Sequence, residues 1–202
     1  TPPNSGGWIN AATQTYNDDV HLVANTTFAG TTGTFNGALD GGNNSLTLSF
    51  SADTTLTGTS FTNVSNLTSN GGGNTNLSGT ITSSGGPNAG TVGFNAGTVN
   101  VSGSAVTTGA ITAAGSVAAG NAKGGSGGNV TISASNGDIS VGAISTLAGN
   151  TGGTGAAAAL EKGGNVSLKK SGGTGNITAT TIATSGATGA FNANAGGDAG
   201  TV

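Results

Sequence analysis

The chain has 202 residues with four Lys, seven acidic residues and neither Arg nor Cys. The net charge of −3 removes the cluster of cations that nucleic-acid binding requires, so we expect no nucleic-acid partner. The absence of Cys excludes disulfides and thiolate metal sites, and no apolar stretch is long enough for insertion into a membrane. The 41 glycines and 5% charged residues are also typical of a disordered low-complexity segment. The regular spacing of the Val, Ile, Leu and Phe residues described below argues against disorder.

Residues 1–13 carry Pro2, Pro3 and the pair Gly6 and Gly7, a composition typical of an extended lead-in. The chain does not begin with Met, and its carboxyl-terminal triplet, GTV, matches the opening of the repeats described below. We therefore expect the chain to be a piece of a longer polypeptide.

Residues 14–84 contain a short motif of the form [Asn/Asp]-Thr-x-[Phe/Leu]-x-Gly-Thr. Its three copies are residues 25–31, 53–59 and 74–80, with Phe28, Leu56 and Leu77 at the apolar position. These apolar positions recur at intervals of about 20 to 30 residues, which are spacings typical of solenoid coils. The motif therefore predicts stacked coils over this segment.

A longer repeat covers residues 85–202, where a Gly-Thr-Val or Gly-Asn-Val triplet recurs. The triplets set Val92, Val130, Val166 and Val202 at a nearly constant interval of about 36 to 38 residues. Because equal phase places equal side chains on successive coils, we predict that these four valines stack in one inward column.

Two further apolar positions recur within each of these units. The second is occupied by Val99, Ile139 and Ile177, and the third by Ile111, Ile144 and Ile182. Each unit therefore predicts three short strands, whose alternating apolar and hydroxyl residues place one face inward and one outward. Whether a 36-residue unit is one coil with a protruding Gly/Ala loop or two tight coils stays open, and the scarcity of β-branched residues over 147–163 favours one coil.

These patterns favour stacked β-strands over other folds. Apolar residues do not recur at the intervals of three and four residues that indicate a helix, and each Gly disfavours a helix by about 1 kcal/mol relative to Ala. A β-sandwich alternates hairpins of unlike sequence, whereas a self-similar unit that buries its apolar edge against its neighbour favours stacking. We therefore predict an all-β protein, a parallel β-helix of about seven or eight three-strand coils.

The sequence contains little that indicates catalysis. His21 is the only His, and although it lies near Asp18 and Asp19, a single His among many Ser and Thr residues defines no triad. The other acidic residues are scattered along the chain, at Asp40, Asp53, Asp138, Glu161 and Asp198. No calcium-binding nonapeptide recurs, so we expect no enzyme, no catalytic residue, no metal site and no cofactor.

Two features of the sequence bear on sugars, one on glycosylation of the chain and one on sugar binding. The sequon Asn-x-Ser/Thr occurs at Asn25, Asn43, Asn63, Asn66, Asn76, Asn100, Asn129, Asn165 and Asn176. A chain rich in alternating Asn, Ser and Thr produces this pattern without glycosylation, so unmodified Asn is favoured. Trp8 and Tyr16 either stack on a sugar ring or cap the first coil, and capping is favoured.

The segment TQTYNDDVHL (13–22), the short motifs and units such as GNVTI (128–132) resemble the repeat regions of large filamentous-haemagglutinin-like exoproteins. The resemblance covers nearly the whole chain. It implies a right-handed β-helix that is secreted, lies outside the cell or on a bacterial surface, and acts in adhesion, biofilm or fibre building. It also implies further coils of the same chain or neighbouring copies as partners, with matrix or host glycans and proteins as ligands.

An alternative function is an ice- or glycan-binding face on the solenoid. Thr-x-Thr pairs such as residues 80–82 and 178–180 motivate it, because flat ranks of Thr order water. The pairs recur irregularly along the sequence, and this irregularity favours the fibre.

Overall fold

The computed structural model describes residues 7–56, 60–83, 95–118, 124–150, 161–187 and 198–202. These residues form strands and connecting turns, with no helix among them. The strands in chain order are β1 Gly7–Asn10, β2 Thr13–Tyr16, β3 Val20–His21, β4 Thr26–Gly30, β5 Thr32–Phe35, β6 Leu39–Asp40, β7 Leu46–Phe50, β8 Thr54–Leu56, β9 Phe61–Thr62, β10 Leu67–Asn70, β11 Thr75–Leu77, β12 Ile81–Thr82, β13 Val99–Gly103, β14 Val106–Thr108, β15 Ile111–Thr112, β16 Val130–Ala134, β17 Ile139–Ser145, β18 Val166–Lys170 and β19 Ile177–Ala183.

The strands stack in three parallel rows. The first row is β1, β4, β7, β10, β13, β16 and β18, and each strand hydrogen-bonds to the equivalent strand of the next coil. The second row is β2, β5, β8, β11 and β14, and the third is β3, β6, β9, β12 and β15. The long strands β17 and β19 continue both of these rows. The chain is therefore a parallel β-solenoid with seven coils among the described residues, and the predicted fold class is confirmed.

The coils lengthen along the chain. Thr13 lies beside Thr32 in the second row, at a separation of 19 residues. Val130 lies beside Val166 in the first row, and this separation is 36 residues, as it is for the preceding pair Asn129 and Asn165. One 36-residue unit is therefore one coil, and its extra residues lie between the third row and the return to the first.

The strand register corrects two sequence assignments. Val99 lies beside Val130 in the first row, although the sequence repeats aligned it with Ile139. Residues 97–99 repeat the letters GTV of residues 90–92, so sequence phase could not separate the two triplets. Val92 lies outside the described residues. In the first half, Phe28 belongs to the first row whereas Leu56 and Leu77 are neighbours in the second, so the interval from Phe28 to Leu56 is not a coil.

Most predicted core residues are buried, and the exceptions lie in the last coil. The buried ones are Val99, Val130, Val166, Ile139, Ile111, Ile144, Phe28, Leu56 and Leu77. Ile182 is partly buried, while Ile177 and Val202 are 46% and 78% exposed, because no later described coil packs on them. Ile177 still lies beside Ile139, in the register that the repeats predict.

Residues 7–13, predicted as an extended lead-in, already belong to the solenoid. β1 pairs with β4 along its whole length, and Ile9 packs partly buried against the core beside Phe28. The first described coil therefore begins with β1, while residues 1–6 lie outside the described part.

The core changes from aromatic to aliphatic along the axis. Phe28, Phe35, Phe50 and Phe61 are buried in the early coils, and the rings of Phe28 and Phe35 meet edge to face at 5.2 Å. The later coils bury mainly Val, Ile and Ala. Each coil thus buries a modest apolar area, at about 25 cal/mol per Å², and stability accumulates by stacking coils.

The core also holds two hydroxyl groups that have no hydrogen-bond partner among the described residues, those of Thr54 and Ser69. Thr54 lies beside Thr75 in the second row, and both side chains are buried. The Thr75 hydroxyl instead donates to the carbonyl oxygen of Ser102 at 2.9 Å. Two neighbouring threonines in one column therefore differ in a single hydrogen bond.

In the longer coils, the described residues that leave the third row and those that return to the first row form glycine-rich excursions. The outgoing segments are 113–118, 146–150 and 184–187, and the returning segments are 95–98, 124–129, 161–165 and 198–201. Within a coil the two segments bond to each other, as where Gly128 N donates to Ala113 O at 2.9 Å and Gly164 N to Thr146 O at 2.8 Å. These bonds pair backbone groups that would otherwise be left without partners beside the strand rows.

Close backbone contact explains the glycines of the returning segments. A Cβ on Gly128 would lie 1.9 Å from the carbonyl oxygen of Gly97, and one on Gly164 would lie 2.0 Å from that of Gly128. Gly200 meets the Gly164 oxygen in the same way. The glycines of the three described triplets of this repeat are thus required because the backbone of the previous coil occupies the space of a side chain.

We predict that Thr54→Val raises the free energy of unfolding by about 1 kcal/mol, because it removes a buried hydroxyl that has no partner. The matched change Thr75→Val should lower it by about the same amount, since it breaks a hydrogen bond. Urea unfolding followed by circular dichroism measures both. Equal effects of the two changes would contradict the assignment.

We predict that Gly128→Ala lowers the free energy of unfolding by about 3 kcal/mol, because the added methyl group overlaps backbone of the preceding coil. Gly172→Ala is the comparison and should cost less, since its Cβ would meet a single backbone atom, the Ser135 oxygen, at 2.9 Å instead of 1.9 Å. Thermal unfolding of the two variants compares them. A Gly128 variant as stable as the Gly172 variant would show that the excursions are not closely packed.

Candidate functional surfaces

Outward side chains of the first row form a rank that runs along the solenoid axis. Its members are in register from coil to coil and comprise Trp8, Thr27, Thr47, Thr68, Asn100, Thr131 and Ser167. A second outward rank on the same face includes Asn70, Ser102, Ser133 and Lys169. Because neighbouring strands lie about 4.8 Å apart, the rank repeats hydroxyl and amide groups at that interval.

The second row carries a similar rank, again with one residue per coil. It consists of Thr15, Thr34, Thr55, Asn76, Thr107, Ser140 and Thr178. The irregular threonines of the sequence are therefore regular in three dimensions, although each rank is only one Thr wide. Thr-x-Thr pairs do not repeat on every coil of either row.

The two aromatic residues of the first coil have different environments. The Tyr16 ring stacks on Phe35 at 4.8 Å, and its hydroxyl donates to the Gln14 side-chain oxygen at 2.9 Å. Burial raises the pKa of Tyr16 above its ordinary value. Trp8 points outward and is 70% exposed. Tyr16 therefore packs on the core of the first coil as favoured from sequence, whereas Trp8 does not.

The single His pairs with an acid one coil away. His21 lies beside Asp40 in the third row, with its Nδ1 3.0 Å from Asp40 Oδ2. The other Asp40 oxygen accepts hydrogen bonds from the Gly42 amide and the Asn63 side chain, each at 3.0 Å. These two bonds, with a smaller contribution from His21, hold the pKa of Asp40 below its ordinary value. Proximity in sequence pointed to Asp18 and Asp19, but the length of this coil brings Asp40 to His21 instead.

Other acids act at the corners of coils. Asp19, Asp53 and Asp138 each accept the backbone N–H of the next coil, at 2.7, 2.9 and 2.6 Å. Asp198 forms an exposed ion pair with Lys162 at 2.8 Å, which lowers the pKa of Asp198 and raises that of Lys162. Such exposed pairs stabilise little. Among the described residues, no three His, Cys, Asp or Glu side chains group as metal ligands.

Four sequon asparagines act in the same way as these acids. The side-chain oxygens of Asn25, Asn66, Asn129 and Asn165 accept a backbone N–H of the following coil, at 2.8 to 2.9 Å. They form a corner ladder just before the first row. The fold therefore gives these residues a structural role. Sequence spacing could have indicated it for three of them, since Asn66, Asn129 and Asn165 each precede an inward Leu or Val, whereas Asn25 precedes the buried Thr26.

No protein-family model, curated protein or solved structure matches this chain. The described residues also contain no helix that is long and apolar enough to span a membrane. The surfaces must therefore be interpreted from their own chemistry. They offer outward hydrogen-bonding ranks that are half-buried in several coils and carry very few charges, and one exposed aromatic ring at the end of a rank.

We predict that Asp40 stabilises the fold above pH 3.8, its ordinary pKa, and that this contribution is lost as the pH falls through its lowered folded-state value. Asp40→Asn should therefore lower the melting temperature at neutral pH, and the difference from the unmodified protein should shrink in acid. Melting curves at a series of pH values test this. A difference that is constant with pH would contradict it.

Proposed function

We propose that this chain is a structural and adhesive segment of a secreted surface fibre. The observation that carries the proposal is the unbroken stack of seven coils among the described residues, in which every row runs parallel along one axis. Such a stack holds a fixed length without a large core, because strand amides bond to the coils on either side. That property suits a spacer that projects binding surfaces away from a cell.

The surface chemistry supports an extracellular role. Outward ranks of Thr, Ser and Asn keep the stack hydrated with 5% charged residues, and the absence of Cys is compatible with secretion. The likeness of its repeats to filamentous-haemagglutinin-like exoproteins points in the same direction. Its partners in this proposal are further coils or copies of the chain, and glycans or proteins of a matrix or host.

The first test is location. Antibodies raised against the chain should label intact, unpermeabilised cells of the producing organism, and electron microscopy should place the label on thin filaments. External protease should remove the label while a cytoplasmic marker survives. Label that appears only after permeabilisation would refute the proposal.

A second candidate is an ice- or glycan-binding face, and the in-register ranks of the first and second rows favour it. Its ice-binding form requires a broad flat lattice of hydroxyl groups, whereas each rank here is one Thr wide. The glycan form needs only an aromatic platform beside hydrogen-bonding groups.

A further inference from the structure

We propose that the outer face of the first row binds a linear, uncharged polysaccharide, with the Trp8 indole as the stacking platform at one end. The proposal rests on the adhesive function given above and names the ligand class of that function. It is carried by three observations: an exposed aromatic ring, a rank of hydroxyl and amide groups in line with it, and the absence of charge along most of that face.

The exposure of Trp8 is the first observation. Trp8 belongs to β1, where it lies beside Thr27, yet 70% of its surface is open to solvent. An indole combines a flat apolar ring with an N–H donor, which suits one side of a pyranose ring whose C–H groups face the aromatic plane. Large aromatic side chains of this kind dominate the energetics of binding surfaces.

The rank that continues from Trp8 is the second observation. Thr27, Thr47 and Thr68 follow on successive coils, and Asn100 follows them. Thr hydroxyls both donate and accept hydrogen bonds, and the Asn carboxamide does the same, so the rank can bind sugar hydroxyls of either polarity. A polymer that lies along the axis meets one such group per coil, and its contacts add up along the length.

The charge of this face selects the class of polysaccharide. Lys169, in the last described coil, is the one charged residue among the outward positions of the described first-row strands. Acidic polysaccharides carry sulfate or carboxylate groups, which proteins bind through Arg and Lys. With no cation between Trp8 and Thr131 on this face, a neutral polymer fits and an acidic one does not.

The second row provides an internal comparison. Its rank has the same kinds of residues, but the aromatic residue of its first strand, Tyr16, lies against Phe35 and Phe28 and is not available for stacking. Thr34 and Thr55 of that rank match Thr27 and Thr47 in residue type, in partial burial and in their place on neighbouring coils. The two faces therefore differ chiefly in the exposed indole.

Titration of the purified chain tests the proposal directly, because Trp8 is the only Trp in the sequence and its fluorescence reports on this site alone. Soluble neutral polymers, such as a β-1,4-glucan, a β-1,3-glucan, a mannan and a xylan, should include one that changes Trp emission saturably. Heparin and polygalacturonate at the same concentration should not. An emission change with the acidic polymers alone, or with none of the polymers, would overturn the proposal.

Paired variants then locate the contact. Thr27→Val combined with Thr47→Val removes two hydroxyls and keeps the β-branched shape, so we expect affinity to fall about tenfold. The control pair Thr34→Val with Thr55→Val should leave affinity unchanged. Both double variants should retain the β-sheet circular dichroism of the unmodified chain. Equal loss of affinity in the two pairs would refute a first-row site.

Trp8→Ala needs a readout other than fluorescence, and native electrophoresis in gels that contain the bound polymer supplies it. The unmodified chain should be retarded, Trp8→Ala should migrate freely, and Trp8→Phe should be partly retarded because the ring remains. Retardation of Trp8→Ala equal to that of the unmodified chain would refute the platform, as would ice-growth inhibition without polymer binding. Surface labelling tests the fibre separately, so a labelled fibre that binds no polymer would refute this inference alone.

Discussion

The parallel hydrogen-bond ladder between coils holds this solenoid together. Each coil buries few apolar residues, and the later ones bury mainly Val, Ile and Ala. The ladder compensates, since each backbone bond contributes a net of about 0.5 to 1.5 kcal/mol and most strand amides take part. Because the ladder keeps the coils in register, side chains of successive coils lie above one another. They form apolar columns inside the solenoid and hydroxyl and amide ranks outside it.

The same constraint explains the glycines and the corner residues. Backbone of successive coils approaches so closely at Gly128 and Gly164 that a methyl group has no room. Between these contacts, Asn and Asp side chains at the corners accept the backbone N–H of the next coil, so the turns are bonded along the axis as the strands are. Asp53 and Asp138, which from the sequence alone are candidates for catalysis or metal binding, accept such hydrogen bonds.

The outward faces of the solenoid are a consequence of the same hydrogen-bond ladder. Because alternate residues of a strand point outward and coils stay in register, one hydroxyl residue per coil becomes a rank along the axis. The first and second rows carry such ranks, and only the first has an exposed aromatic ring among the described residues.

Alternation and the 36-residue repeat from Val130 to Val166 were enough to predict the parallel solenoid, because they depend only on local strand geometry and coil length. The sequence could not decide between two identical GTV triplets, and only strand pairing places Val99 beside Val130. It also missed the pairing of His21 with Asp40 and the different rows of Phe28 and Leu56. These features depend on register between coils. Register is decided by which residues pack and pair across the stack, and coil lengths that differ between the first and second halves of the chain hide the phase in the sequence.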